Sequence, residues 1–260
     1  MSDPVAVHHV AEGESAAPVV ILTHAIGTSL AMWQAQAEAL SRDFRVVRYD
    51  QRGHGASPVP DGPYEIADLG RDLLLLMDRL GVERASLCGL SLGAMTVLWV
   101  AAHAPERVER LVACSVTARP ASPEAWAERA ATVRRDGVEA IEELVVDRWG
   151  YRNRAPAVEA LVRAMLRATT PEGYASCCDA IRTMNLEPDL ASIAAPTLLV
   201  AGSEDPAAQP TAMATIAEAI PNSNLRIVDG AAHLLNVEQP VAVTAAISEH
   251  LAPILARRPA

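Results

Sequence analysis

The stretch Cys88-Gly89-Leu90-Ser91-Leu92-Gly93 decides how this chain is read. Ahead of it, Ala85-Ser86-Leu87-Cys88 has the pattern of a short strand. Behind it, Ala94-Met95-Thr96-Val97-Leu98-Trp99-Val100-Ala101-Ala102 reads as a buried helix. A serine with Gly-x on either side, at a strand-to-helix corner, is placed to present its hydroxyl outward. The corner is too tight for a Cβ two residues before or after the serine, and glycine has none. The serine itself is expected in a strained conformation that its surroundings enforce. The motif alone would also fit a Gly-rich turn whose serine caps the helix. The strand before it and the helix after it favour a nucleophile.

Working outward, the same alternation extends on both sides. Val19-Val20-Ile21-Leu22-Thr23 is a continuous apolar run, as expected of a strand covered on both faces. Thr28 or Ser29 can cap a helix that carries Met32, Trp33, Ala37 and Leu40. Phe44 to Asp50 reads as a strand. Ile66, Leu69, Leu73, Met77 and Leu80 repeat at helical spacing, and Arg110 to Cys114 is a further strand. Val5 to His9 is the candidate first strand. From Val116 to Ala194 the strand pattern stops, and four short helical stretches take over. That is too long for a connecting loop. Strand pattern resumes at Pro196 to Gly202 and at Leu225 to Val228, and a last helix is expected from Val237 to Leu255. The fold class is therefore α/β. Residues 1–115 and 195–260 form a mostly parallel sheet with helices on both faces, and 116–194 form an inserted helical cap. The tail Arg257 to Ala260 is expected to fray.

Composition narrows the function. The 260 residues are half hydrophobic and carry a net charge of −10 with no basic block, which argues against nucleic acid as a partner. No apolar stretch is long enough to span a bilayer. Met1-Ser2-Asp3-Pro4 lacks the charged and apolar regions of a secretory signal. The four cysteines, Cys88, Cys114, Cys177 and Cys178, show neither a disulfide framework nor a zinc spacing. A cytoplasmic protein with buried thiols is expected.

A serine hydroxyl needs a base, and seven histidines compete for that role. His8, His9, His54, His103 and His250 read as structural or solvated. His233, in the loop after the last strand, lies at the sheet edge shared by the C-terminal ends of parallel strands, where ligands bind. The base needs a carboxylate to fix its tautomer. Asp205, directly after the resumed strand, is preferred over its neighbour Glu204, whose side chain should leave the turn in another direction. No acid follows Cys114. The order Ser91, Asp205, His233 is that of the α/β hydrolases. Two backbone N–H groups are expected to hold the oxyanion: Leu92, at the N-terminus of the helix, and Ile26, in the loop after Thr23. His24 is expected to buttress that loop.

The chain resembles the 3-oxoadipate enol-lactonases over nearly its whole length. Gly27 to Trp33, Arg48 to Ser57, Cys88 to Gly93 and Ala232 to Pro240 carry the resemblance. So do Asp147-Arg148-Trp149 and Thr170 to Arg182 in the cap. The loop His24-Ala25-Ile26-Gly27 departs from the family's Asn-Ser-Leu-Gly-like form, and Gly150 stands where a bulky aromatic often follows the tryptophan. The resemblance implies lactone ring opening through a Ser91 acyl-enzyme, with neither cofactor nor metal. Its small-molecule substrate would be an anionic lactone. Because the protein is itself acidic, a local cation must hold the substrate carboxylate. Arg134, Arg148 and Arg182 are the candidates in the cap, with Arg148 first because Trp149 beside it belongs to the family-like segment. A general carboxylesterase, a carbon–carbon bond hydrolase, a perhydrolase and a receptor with a retained triad are the competing readings.

Overall fold

A computed structural model describes residues 2–151 and 156–256. Seven strands form one sheet in the order β1-β3-β2-β4-β5-β6-β7. They are β1 (His9–Glu12), β2 (Val19–Thr23), β3 (Arg45–Tyr49), β4 (Ala85–Leu90), β5 (Val108–Cys114), β6 (Thr197–Gly202) and β7 (Ser223–Val228). Only β1 is antiparallel to its neighbour. Parallel strands need crossovers, so helices cover both faces. α1 (Gln34–Leu40), α2 (Ile66–Arg79), α3 (Leu92–His103), α8 (Pro210–Ala219), α9 (Leu235–Glu238) and α10 (Pro240–Leu255) belong to this layer. α3 is apolar on nearly every side, because it packs against α2 as well as β4 and β5.

Between Cys114 and Thr197 the described residues form helices and no strand. These are α4 (Pro123–Asp136), a short 3₁₀ turn leading into α5 (Glu142–Arg148), α6 (Pro156–Arg167), α7 (Pro171–Thr183) and a 3₁₀ helix at Glu187–Ser192. α4 packs along α7. The Thr170 hydroxyl donates to the Gly53 carbonyl at 3.0 Å, which ties α7 to the loop after β3. Among the described residues no helix is long and apolar enough to cross a membrane.

Two expectations are corrected. The first strand is His9–Glu12, not Val5 to His9. The amides ahead of it are taken by side chains: Ser2 N–H donates to Asp68 and Val5 N–H to Asp72, both on α2, and His8 N–H donates to Ser57. Val5 and His8 thus spend their amides on side chains instead of a ladder. The last helix is broken into α9 and α10, because Pro240 lacks an N–H and starts a new helix, with Gln239 outside helical geometry. The tail from Arg257 lies outside the described residues.

Candidate active site

Ser91 follows directly on β4 with φ 54° and ψ −116°, a conformation L residues avoid. A Cβ on Gly89 would lie 2.3 Å from the Gly93 carbonyl oxygen, and one on Gly93 would lie 2.2 Å from that of Thr23. Both flanking glycines are thus required by contact.

His233 follows β7 and Asp205 follows β6, so parallel pairing brings them to the edge that holds Ser91. His233 Nδ1 lies 2.8 Å from Asp205 Oδ2, and both side chains are buried. Asp205 Oδ1 accepts the Ala207 and Ala208 amides at 2.8 and 3.0 Å. Burial alone would raise this carboxyl, but adjacent His233 and the two amides outweigh it and hold the group below the usual carboxylate range. Glu204 is exposed, and it is Asp205 that reaches His233. The Trp149 ring stacks on His233 at 5.6 Å between centroids and 28° between planes.

The loop after β2 is pinned by histidines. Gln51 N–H donates to His24 Nε2 at 2.9 Å, and Gly27 N–H donates to His54 Nε2 at 2.9 Å. A ring nitrogen that accepts an amide proton carries none, so both rings are neutral with the proton on Nδ1. Burial lowers His24 to about 4 and His54 to about 3, the latter helped by the facing His24. The Ala25 amide is taken by Met32 Sδ and that of Thr28 by the Ala25 carbonyl. Among the described residues the Ile26 and Leu92 amides have no protein acceptor. Ile26 lines the same small enclosed cavity, of about 50 Å³, as Ser91, His233, Trp149 and Arg148. Such a site can attack a carbonyl, hold an oxyanion and exchange a proton with the leaving oxygen.

Of the three arginines expected to hold a carboxylate, only Arg148 lines this cavity. Arg134 is engaged elsewhere, with Glu172 at 3.0 Å and Asp179 at 2.9 Å, in a bracket between α4 and α7. Arg182 lies 3.4 Å from Asp179. Two residues were missed in the sequence. Arg129 on α4 stands 4.4 Å over the Trp126 ring, and the Trp126-x-x-Arg129 spacing, which puts both on one helix face, was the available signal. Ser115, after β5, lines the cavity with φ 47° and a buried hydroxyl that lacks a partner among the described residues, and nothing in its sequence context announces it. Gly150 has φ 79°, which strains any side chain there, and a Cβ would lie a tight 3.2 Å from Ala232 and Pro206. Among the described residues no cluster of His, Cys, Asp or Glu is arranged to hold a metal ion.

Residues 18–141 match the model of the α/β hydrolase fold. The chain is 36% identical to 3-oxoadipate enol-lactonase 2 of Acinetobacter baylyi, over 94% of this chain and 92% of that protein. The crystal structure of an enol-lactonase from Burkholderia xenovorans superposes with a TM-score of 0.91 at 40% identity, covering 95% of this chain and 96% of that one. A thermophilic esterase from Thermogutta terrifontis superposes with a TM-score of 0.90 at 32% identity, covering 95% and 93%.

Proposed function

The chain belongs to the 3-oxoadipate enol-lactonase family of α/β hydrolases and is a hydrolase, and from that premise we propose that it opens the ring of 3-oxoadipate enol-lactone to give 3-oxoadipate. Residues 116–194 act as the cap over the site. The observation that carries the reading is the 2.8 Å contact between His233 and Asp205 at a cavity shared with a strained Ser91.

With Nδ1 committed to Asp205, Nε2 is the nitrogen of His233 left to take the Ser91 proton as Oγ attacks the lactone carbonyl. Asp205 stabilises the imidazolium that forms. The carbonyl oxygen becomes an oxyanion between the Ile26 and Leu92 amides, where the N-terminus of α3 adds its dipole. Collapse breaks the ring C–O bond, and His233 returns the proton to the departing enol oxygen. The enol stays tethered to the acyl-enzyme and could reclose. Ketonisation removes that nucleophile, after which His233 activates water and the ester to Ser91 is hydrolysed. Trp149 against the His233 ring fixes its plane. Buried free thiols at Cys88, Cys114, Cys177 and Cys178 suit a reducing cytoplasm.

The likeness to the Thermogutta esterase supports a second reading, a general esterase on the same triad. A turnover panel of the enol-lactone, simple 4-nitrophenyl esters and vinylogous diketones separates them. The enol-lactone is expected to give the highest kcat/KM. A higher value for a neutral ester would replace the lactonase reading with the esterase one.

A further inference from the structure

We propose that Ser115 is a positioning residue whose hydroxyl accepts a hydrogen bond from the water that hydrolyses the acyl-enzyme at Ser91. The inference rests on the reading above that Ser91 carries the acyl group, and it concerns only the second half of the reaction. Ser115 directly follows β5, as Ser91 directly follows β4. Leu90 pairs with Cys114 at the ends of these neighbouring parallel strands, and the Ser91 amide donates to the Cys114 carbonyl at 3.0 Å. The two serines therefore stand at adjacent strand ends, and both leave the sheet with positive φ, 54° and 47°. Both line the cavity that His233 also lines.

The Ser115 hydroxyl does not hold the fold. The residue is 1% exposed, and its Oγ has no hydrogen-bond partner among the described residues, while its amide donates to the Val200 carbonyl at 3.0 Å. A buried hydroxyl is costly unless something satisfies it, and the space this one borders is the Ser91 cavity. A left-handed backbone favours glycine or asparagine, so the turn does not account for a serine here. Thr117 is the other hydroxyl lining the cavity besides Ser91, and it is only half-buried.

Strand order assigns the step. β2, which leads into the Ile26 loop, lies on one side of β4, and β5, β6 and β7 lie on the other. The carbonyl oxygen turns toward the Ile26 and Leu92 amides, so the ring oxygen leaves, and water later enters, on the side of Ser115 and His233. The water oxygen bonds to the acyl carbon as His233 Nε2 takes one of its protons and the carbonyl pair moves onto oxygen. That pair then returns, the bond from Ser91 Oγ to the acyl carbon breaks, and His233 gives its proton to Oγ. The second water proton stays on the product acid and needs an acceptor while attack proceeds. Ser115 Oγ supplies that lone pair and keeps its own proton throughout. Water held at two points is fixed in its line of attack, which favours hydrolysis over reclosure of the tethered chain.

Methanol separates this role from a structural one. It carries a single O–H proton, which His233 takes, and has none to offer Ser115. The test is the ratio of methyl butyrate to butyrate formed by the full chain from 4-nitrophenyl butyrate in dilute methanol, which reads deacylation whichever step limits turnover. Ser115→Ala is expected to raise that ratio by ~10-fold, the scale of one lost hydrogen bond, through slower hydrolysis. Ser115→Cys should raise it similarly while filling the same space, because sulfur is a weak acceptor. Ser115→Asn, whose amide oxygen accepts and whose backbone tolerates positive φ, should bring the ratio back toward the wild type. Ser115→Gly relieves the backbone, should match the Ala variant, and replaces it if the Ala variant does not fold. The proposal is overturned if the ratio stays within ~3-fold of the wild type in the Ala, Cys and Gly variants, as it would if water and methanol slowed alike. It is also overturned if the ratio rises in the Ala and Gly variants but not in Cys, which would mark added space rather than a lost acceptor. A wild type that forms no methyl butyrate, and no butyrylated Ser91 in a mass spectrum after acid quench, would remove the acyl-enzyme premise itself. Failure to open the enol-lactone would sink the lactone reading and leave this test intact.

Discussion

Two buried arginines, one under the sheet edge and one in the helical segment above it, are treated in opposite ways. Arg52, in the loop after β3, has no exposed side chain and forks onto Asp72 with two contacts of 2.6 Å. It also donates to the Ser2 hydroxyl and the Asp3 carbonyl. Arg129 is nearly as buried but lies over the Trp126 ring and beside the Tyr174 hydroxyl, with no ion pair to a carboxylate among the described residues. The loops under the site share the first pattern. Asp50 accepts the Leu30 and Ala56 amides, and Gln51 links His24 to Thr96. A satisfied network has one arrangement and holds the Ile26 amide in place. A buried cation without a counterion contributes little to folding.

The largest effects should come from the sheet edge. Ser91→Ala is expected to lower kcat by ~10⁶-fold, and His233→Ala by a similar factor, because the groups act as one unit. Circular dichroism should show the fold intact. Retained turnover in Ser91→Ala would remove the nucleophile assignment. Asp205→Asn should cost ~10⁴-fold by favouring the wrong His233 tautomer, while Glu204→Gln changes kcat little. Equal losses in the two would leave the choice of acid unsupported.

The next effects compare the two arginines through stability. Asp72→Asn strands the Arg52 charge in the interior and should destabilise by about 3–5 kcal/mol in urea unfolding. Arg129→Met removes a buried charge that had no counterion, so its unfolding free energy should match or exceed that of the wild type. If Arg129→Met proves as damaging as Asp72→Asn, the contrast between the two regions fails.

Acid should also act on the sheet edge. His24 and His54 have folded values of about 4 and about 3, below the ordinary 6.5. The unfolded chain therefore binds more protons between those limits, and stability must fall as pH drops from ~6.5 toward 4. The His24 shift alone corresponds to a loss on the order of 3 kcal/mol. Melting temperatures across this range should decline in the wild type and decline less in His24→Gln. A flat profile in the wild type would mean that these rings are not buried neutral.

Local pattern carried most of the fold. A continuous apolar run marked β2, shorter strand-like segments marked β3 to β6, and the elbow glycines marked the corner, because sterics there involve only neighbouring residues. The first strand was misplaced because nothing in Val5 to His9 reveals that Asp68 and Asp72, some sixty residues on, would take the arm's amides. The last helix was drawn through Pro240, where local sequence alone held the correction.

For the site, sequence by itself determined the order Ser91, Asp205, His233 and the strand end at which each would stand. Parallel topology turns that order into one edge, so chain position is enough to nominate them. Only the tertiary structure decided which arginines were already spent. Arg129, Arg134, Arg148 and Arg182 are alike in sequence, all on helices of one segment. Whether each finds a carboxylate depends on how α4, α5 and α7 pack, since an ion pair is set by a separation of a few ångströms between residues far apart in the chain. Arg134 was committed to Glu172 and Asp179, whereas Arg129 and Arg148 were left over the Trp126 ring.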